Sequence, residues 1–244
     1  MSSNPETDFG FQRVPVAAKK PMVRAVFESV APRYDLMNDL MSLGVHRAWK
    51  RDFVSGLDPR PGRTLLDLAG GTGDIAFRWR AAGGGPAVLS DINVSMLAVA
   101  RQRAAAAPGL HVVAADAEAL PFADGSTDRV SIAFGLRNCT DKPAVLREAW
   151  RVLRPGGQFH CLEFSRVQVA ALERPYDAWS FRVLPLLGLV VARDADSYTY
   201  LAESIRTFPD QEGLAAMLAA AGFSRVRYRN LTGGIAAIHS GWRL

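Results

Sequence analysis

Leu65-Leu-Asp-Leu-Ala-Gly-Gly-Thr-Gly-Asp74 is the stretch on which the fold of this chain turns. Its first four residues are an apolar run interrupted by one carboxylate, the pattern of a short strand covered on both faces, and the remainder is a glycine turn that opens a helix. Gly70, Gly71 and Gly73 permit positive φ and close backbone approach, and the first amides of the following helix point at whatever lies above the strand end. A ligand is therefore expected on the turn. Gly71-Thr-Gly-Asp-Ile-Ala76 also satisfies the loose dinucleotide pattern G-x-G-x-x-G/A, so the glycines alone leave a nicotinamide or flavin cofactor open.

Outward from that turn, apolar runs and helical periodicities alternate. Strands are expected over 64–68, 87–91, 110–115, 129–134 and 158–163, with helices over 74–82, 95–106 and 142–153. The alternation predicts an α/β fold with a doubly wound, mostly parallel sheet. Two closing strands, 226–230 and 235–240, flank Thr232-Gly-Gly234, a spacing short enough for a hairpin and hence for antiparallel pairing.

Three segments fall outside this rhythm. Residues 1–22 are polar and punctuated by Pro5, Pro15 and Pro21, and are expected to form a flexible N-terminal arm. Residues 23–60 carry helical spacing, as in Val23, Val26, Phe27 and Val30, and read as short helices packed ahead of the sheet. Residues 167–208 read as a helical lid insertion. They contain the apolar run Val-Leu-Pro-Leu-Leu-Gly-Leu-Val-Val-Ala at 183–192, which is too short to span a bilayer. That run is either a buried helix pair or a lid that lines an apolar substrate pocket or touches a membrane surface.

Composition narrows the class. The 244 residues, 49% hydrophobic and 22% charged, suffice for a sizeable core. The net charge of +5 is spread along the chain without a basic, aromatic-interleaved tract, so no nucleic-acid partner is expected. Cys139 and Cys161 have no metal-ligand spacing, and neither a metal site nor a disulfide framework is expected. The first twenty residues include Glu6 and Asp8 and lack an apolar core, which argues for a cytoplasmic protein.

Charge then separates the cofactors. A carboxylate at position 74 suits the positive end of a helix dipole but would repel a pyrophosphate placed there. S-adenosyl-L-methionine has no phosphate and presents an ammonium and a sulfonium, which Asp67 and Asp74 would suit. Asp91 ends the second strand, where a carboxylate accepts from ribose hydroxyls of either cofactor. Asp116 ends the third strand, where it can accept from an adenine amino group while Ala117 offers its backbone N–H. Helix capping or turn formation is the plainer role for either Asp.

With Tyr34-Asp-Leu-Met-Asn-Asp39, Asp67-Leu-Ala-Gly-Gly-Thr-Gly73, Asp91-Ile-Asn93, Phe134-Gly-Leu-Arg-Asn138, Leu162-Glu-Phe-Ser165 and the block from Asp194 to Ile205, the chain resembles the ubiquinone/menaquinone biosynthesis C-methyltransferases, a family of class I S-adenosylmethionine-dependent enzymes. The likeness covers 23–244, which would form a single methyltransferase domain. It implies C-methylation of the ring of a polyprenylated benzoquinol or naphthoquinol. It also implies cofactor contacts at Thr72, in the turn that includes Gly71 and Gly73, and at Asp91, Asp116 and Ala117. Family members often carry Asn where Asp116 stands and Ser where Ala133 stands, so a contact at Ala133 must run through backbone.

Methylation at a ring carbon needs donor and acceptor held in contact, and a phenol made more nucleophilic by loss of its proton or by a nearby cation. Arg137, just beyond the fourth strand, is expected to stabilise a phenolate, with Asn138 orienting a ring hydroxyl. Tyr34 is expected to reach substrate or water from the N-terminal segment beside Asp35. His46 and Glu163 are proton acceptors on chemistry alone, although a single His between helices is more often structural. A lipid-soluble quinol as partner further suggests transient contact with the inner face of a membrane, and a homo-oligomer or a quinone-biosynthesis complex is compatible with it. A methyltransferase acting on another small molecule and a non-catalytic cofactor-binding scaffold are the competing readings.

Overall fold

The computed structural model describes residues 6–30, 39, 42, 44–187 and 195–244. The quartet at the start of the glycine stretch forms β3 (Leu65–Leu68), buried at every position as a strand covered on both faces must be. Leu65 faces a core with Trp49, Phe53, Trp79 and Leu97, whereas Leu66 faces a second core with Leu146, Val152, Phe159 and Leu214, so the pleat of one strand divides the two hydrophobic layers.

On one side β3 pairs in parallel with β4 (Ala87–Asp91), which pairs in turn with β5 (Leu110–Ala114). On its other side lies β6 (Thr127–Ala133), followed by β7 (Leu153–Phe164), again parallel. The expected C-terminal hairpin is present: β8 (Ser224–Leu231) and β9 (Ala236–Trp242) pair antiparallel, and β9 inserts antiparallel against β7. The seven-stranded order is β5-β4-β3-β6-β7-β9-β8. The chain leaves β3 toward β4 and later returns to its opposite side at β6, so a crevice opens beyond the carboxyl ends of β3 and β6.

The connecting helices include α3 (Asp74–Ala81), α4 (Val94–Ala104) and α5 (Lys142–Val152). Asn93 caps α4 by accepting from the amides of Ser95 and Met96, and Asp141 caps α5 through the Ala144 amide. Ahead of the sheet lie α1 (Val16–Val30) and α2 (His46–Gly56). The region expected as a lid is helical where described, with α6 (Ala170–Ala178), a wider π turn over Trp179–Val183, α7 (Leu184–Leu187) and α8 (Ala195–Thr207). Beyond it, α9 (Gln211–Ala220) leads into β8.

The expected loose arm is a correction. From Glu6 the chain forms a hairpin of β1 (Glu6–Phe9) and β2 (Gln12–Pro15), turning at Gly10, and runs directly into α1 with Pro21 inside the helix. Three prolines suggested local disorder, but tertiary contacts prevail. Phe9 stacks on Tyr200 at 4.3 Å between ring centroids, the Phe11 amide donates to Glu203 on α8 at 3.1 Å, and Val14 is buried. Tyr34, Asp35 and Asp194, together with the later part of the apolar run, lie outside the described residues.

Candidate active site

Two residues at the crevice have backbone conformations that side chains rarely adopt. Ala69 follows β3 with φ +47° and Phe134 follows β6 with φ +57°. Ala69 closely approaches the residue after Phe134: a Cβ on Gly135 would lie 2.7 Å from the Ala69 Cβ, so only glycine fits there. Around this junction open two adjoining cavities that share Ala69 and Phe134 as walls.

The larger cavity, about 800 Å³ including its mouth, lies between α1 and the ends of β4 and β5. Val23 and Phe27 of α1 form one side, and Asp91, Met96, Asp116 and Ala117 the other. Asp91 accepts from the Gly71 amide at 2.8 Å and the Asn93 amide at 2.7 Å, and so organises the glycine turn itself. Burial pushes its carboxyl up, against the pull of those amides. With about four acceptor positions on its two oxygens, the carboxylate keeps capacity beyond these backbone amides, which suits the ribose role expected of it. Asp116 is held by Lys20 at 2.5 Å, and Lys20 also reaches Glu118 at 2.8 Å.

The smaller cavity, about 360 Å³, is lined by Lys50, Asp67, Gly70, Thr72, Asp74 and Ala133. Asp67 is buried there, and one oxygen accepts from the Ser131 hydroxyl at 2.7 Å while Oδ2 has no partner. Burial, only partly offset by Ser131 and by the Ala76 amide, raises its pKa to about 7. A Cβ on Gly70 would approach that Oδ2 to 2.8 Å, so glycine keeps the space in front of it open. Asp74 opens α3; burial would raise its carboxyl, but Lys50 and Arg78 outweigh it and hold it below the usual range.

Against these positions the expected acceptor-side residues separate. Asn138 lines the larger cavity, and its Oδ1 accepts from the Tyr200 hydroxyl at 3.1 Å. Arg137 does not present its guanidinium to the described cavities. Its Nη1 donates to Glu163 Oε1 at 2.7 Å and to the Phe134 carbonyl at 2.5 Å, inside the protein. The expectation of a cation facing substrate is corrected accordingly: the guanidinium is buried in an ion pair with Glu163. Glu163, considered as a proton acceptor, is committed to the same pair. His46 is buried against Ser42, at 2.9 Å, and burial lowers its pKa to about 4, so it stays neutral at physiological pH.

A third cavity, about 780 Å³ and almost wholly apolar, lies between α2, α6 and the turn joining β8 to β9. Trp49, Leu172, Tyr176, Trp179 and Ile235 line it. Trp49 also stands 6.5 Å from Phe134, centroid to centroid, and so separates this cavity from the cofactor clefts by one aromatic layer. Trp49, Trp179, Lys50 and Tyr200 were not evident as site residues, because tryptophans at helical spacing read as core and α2 reaches the sheet only through tertiary packing.

The strand order, with one antiparallel strand inserted between β7 and β8, and the carboxylates gathered on a glycine turn define a Rossmann-like methyltransferase of class I. An S-adenosylmethionine-dependent methyltransferase from Thermotoga maritima shares this fold, with a TM-score of 0.67 at 18% identity over 91% of this chain and 100% of that one. The chain belongs to the ubiE/COQ5 methyltransferase family, whose model matches residues 15–243. It is 66% identical to the ubiquinone/menaquinone biosynthesis C-methyltransferase UbiE of Acidiphilium cryptum, over 100% of this chain and 99% of the relative. The protein of the same name from Brucella abortus is 54% identical over 100% and 93%.

Proposed function

We propose that the protein transfers a methyl group from S-adenosyl-L-methionine to a ring carbon of a polyprenylated benzoquinol or naphthoquinol in ubiquinone or menaquinone biosynthesis. The observation that carries this reading is the apolar third cavity, set one aromatic layer from clefts whose polar groups suit an adenosyl amino acid. Those clefts fit the cofactor: a buried acceptor without a partner at Asp67 Oδ2, space preserved by Gly70, and Asp91, Asp116 and Ala117 on the wall of the larger cavity. When bound, the cofactor supplies an electrophilic methyl on a sulfonium.

The chain's own residues then hold and shape. Asp91 fixes the glycine turn while keeping acceptor positions for ribose, and the Ala117 amide and Asp116 serve the base. Phe134, fixed by Arg137 through its carbonyl, forms the wall that donor and acceptor share. Asn138, braced by Tyr200, orients a ring hydroxyl; burial raises the tyrosine pKa, so that hydroxyl remains a donor. The methyl replaces a ring hydrogen that leaves as a proton, and Tyr34 is the residue proposed to hydrogen-bond the substrate or a water beside it.

The apolar cavity further supports an acceptor delivered from a lipid phase, with the protein working in the cytoplasm at the inner membrane face. Val45 and Leu172 are exposed at the cavity rim and would meet that surface. Among the described residues no helix is long and apolar enough to cross a membrane. The test is incubation of purified protein with methyl-labelled cofactor and a short-prenyl demethyl quinol, followed by mass spectrometry. The ring-methylated product is expected, and absence of transfer to either quinol class would overturn the reading.

A further inference from the structure

Helix α2 lies outside the alternating strand-helix core, yet its Lys50 is only 4% exposed and lines the smaller cavity beside Asp67, Gly70 and Thr72. Its Nζ stands 2.8 Å from Asp74 Oδ2. The other oxygen of Asp74 is already taken by Arg78, whose Nε lies 2.7 Å from Oδ1. Two cations thus share one carboxylate, Arg78 from a half-exposed position outside the cavity and Lys50 from its wall, and the Lys50 ammonium, with three N–H donors, keeps donors for a further anion. Asp67 Oδ2, also on the lining, is a buried acceptor without a donor. One wall asks for an anion and the other for a donor, and a zwitterion with both groups on one carbon meets both demands.

We infer that Lys50 binds the α-carboxylate of the cofactor's amino-acid end while Asp67 accepts from its α-ammonium. The inference rests on the methyl-donor reading above. It gives α2 a double task, because the neighbouring Trp49 forms the wall of the apolar cavity and packs near Phe134. The side chain that holds the donor's carboxylate is thereby anchored on the same helix turn as the side chain that shapes the acceptor's chamber.

Calorimetry with two ligands tests this without turnover: S-adenosylhomocysteine and S-adenosyl-3-thiopropylamine, which lacks only the carboxylate. A charge-assisted hydrogen bond in a buried site predicts about 10- to 100-fold tighter binding of S-adenosylhomocysteine by the unaltered protein. Lys50→Met should lose most of that preference while binding the thiopropylamine as before, and Lys50→Arg should keep more of it. Equal affinity of the unaltered protein for both ligands would overturn the inference, even if Lys50→Met does not fold. Equal weakening of both ligands in Lys50→Met, or none, would do the same. Binding of neither ligand by the unaltered protein would overturn the methyl-donor reading and this inference with it.

Discussion

Arg137 Nη1 lies 2.7 Å from Glu163 Oε1, with both side chains 2% exposed, and the same nitrogen holds the carbonyl of Phe134 in its left-handed conformation. Removing one member of a buried ion pair strands the other, at about 3–5 kcal/mol. Glu163→Gln should therefore lower unfolding free energy by roughly 3 kcal/mol in chemical denaturation. Joint replacement of both residues by apolar ones should cost less than the sum of the single changes. Because Phe134 walls both cofactor cavities, Arg137→Ala should weaken S-adenosylhomocysteine binding as well as turnover. A purely substrate-facing arginine would leave that binding intact.

Asp67 couples cofactor binding to protons. Its carboxyl has a pKa of about 7 in the protein without ligand, and an ammonium partner favours the ionised form. Affinity for S-adenosylhomocysteine should rise between pH 6 and pH 8, roughly the window that spans this pKa, with proton release on binding at the lower end. Calorimetry in buffers of different ionisation enthalpy measures that release directly, and Asp67→Asn should abolish it. Stability has the opposite sign. The folded carboxyl binds more protons than the unfolded one between its ordinary value of 3.8 and about 7, so stability falls as pH rises through that range. Asp67→Asn should consequently raise the melting temperature of the ligand-free protein at pH 8 while weakening cofactor binding.

These two residues also mark how far the site was legible from the chain. Asp67 sits in an apolar run that only a doubly covered parallel strand explains, and strand ends in such a sheet converge by topology, which brought Asp91 and Asp116 into view as well. Arg137 was correctly placed at a strand end, but whether its guanidinium turns to the crevice or inward depends on Glu163, supplied by another strand. Lys50 had no local signal, since its helix is carried to the cofactor turn by the packing of Trp49 and Phe53. Pro21 misled for the related reason that docking of α1 outweighs a local helix penalty.

The apolar cavity should discriminate between acceptors by tail length. Leu172 lies on its rim and Trp179 inside its lining. A carboxylate in place of Leu172 would have to be desolvated by an incoming prenyl chain, at a cost of a few kcal/mol by the usual penalty for an unpaired charge. Leu172→Asp should raise KM about 10-fold or more for a long-tailed quinol and much less for a short-tailed one. S-adenosylhomocysteine affinity should stay unchanged, since Leu172 lines neither cofactor cleft. An equal effect on both acceptors would place the tail elsewhere.

Lys19 shows how α1 is held over the larger cavity. The residue is buried, and its Nζ donates to the Cys139 carbonyl at 3.1 Å, joining α1 to the loop that carries Arg137 and Asn138. Burial, with Lys142 nearby adding to it and Asp8 and Glu118 opposing, lowers its pKa to about 8. The folded protein thus binds fewer protons than the unfolded chain between about 8 and the ordinary lysine value of 10.5, and this contribution to stability grows as pH rises through that window. Lys19→Met keeps the apolar stem and removes the charge, while Lys142 remains 3.4 Å from the Cys139 carbonyl as an alternative donor. The variant should be more stable at pH 7, by on the order of 2 kcal/mol, and the gain should shrink toward pH 10 as the native lysine loses its own proton. Melting temperatures of the two proteins across that range measure the difference, and a gain independent of pH would show that the lysine charge is not what opposes docking of α1.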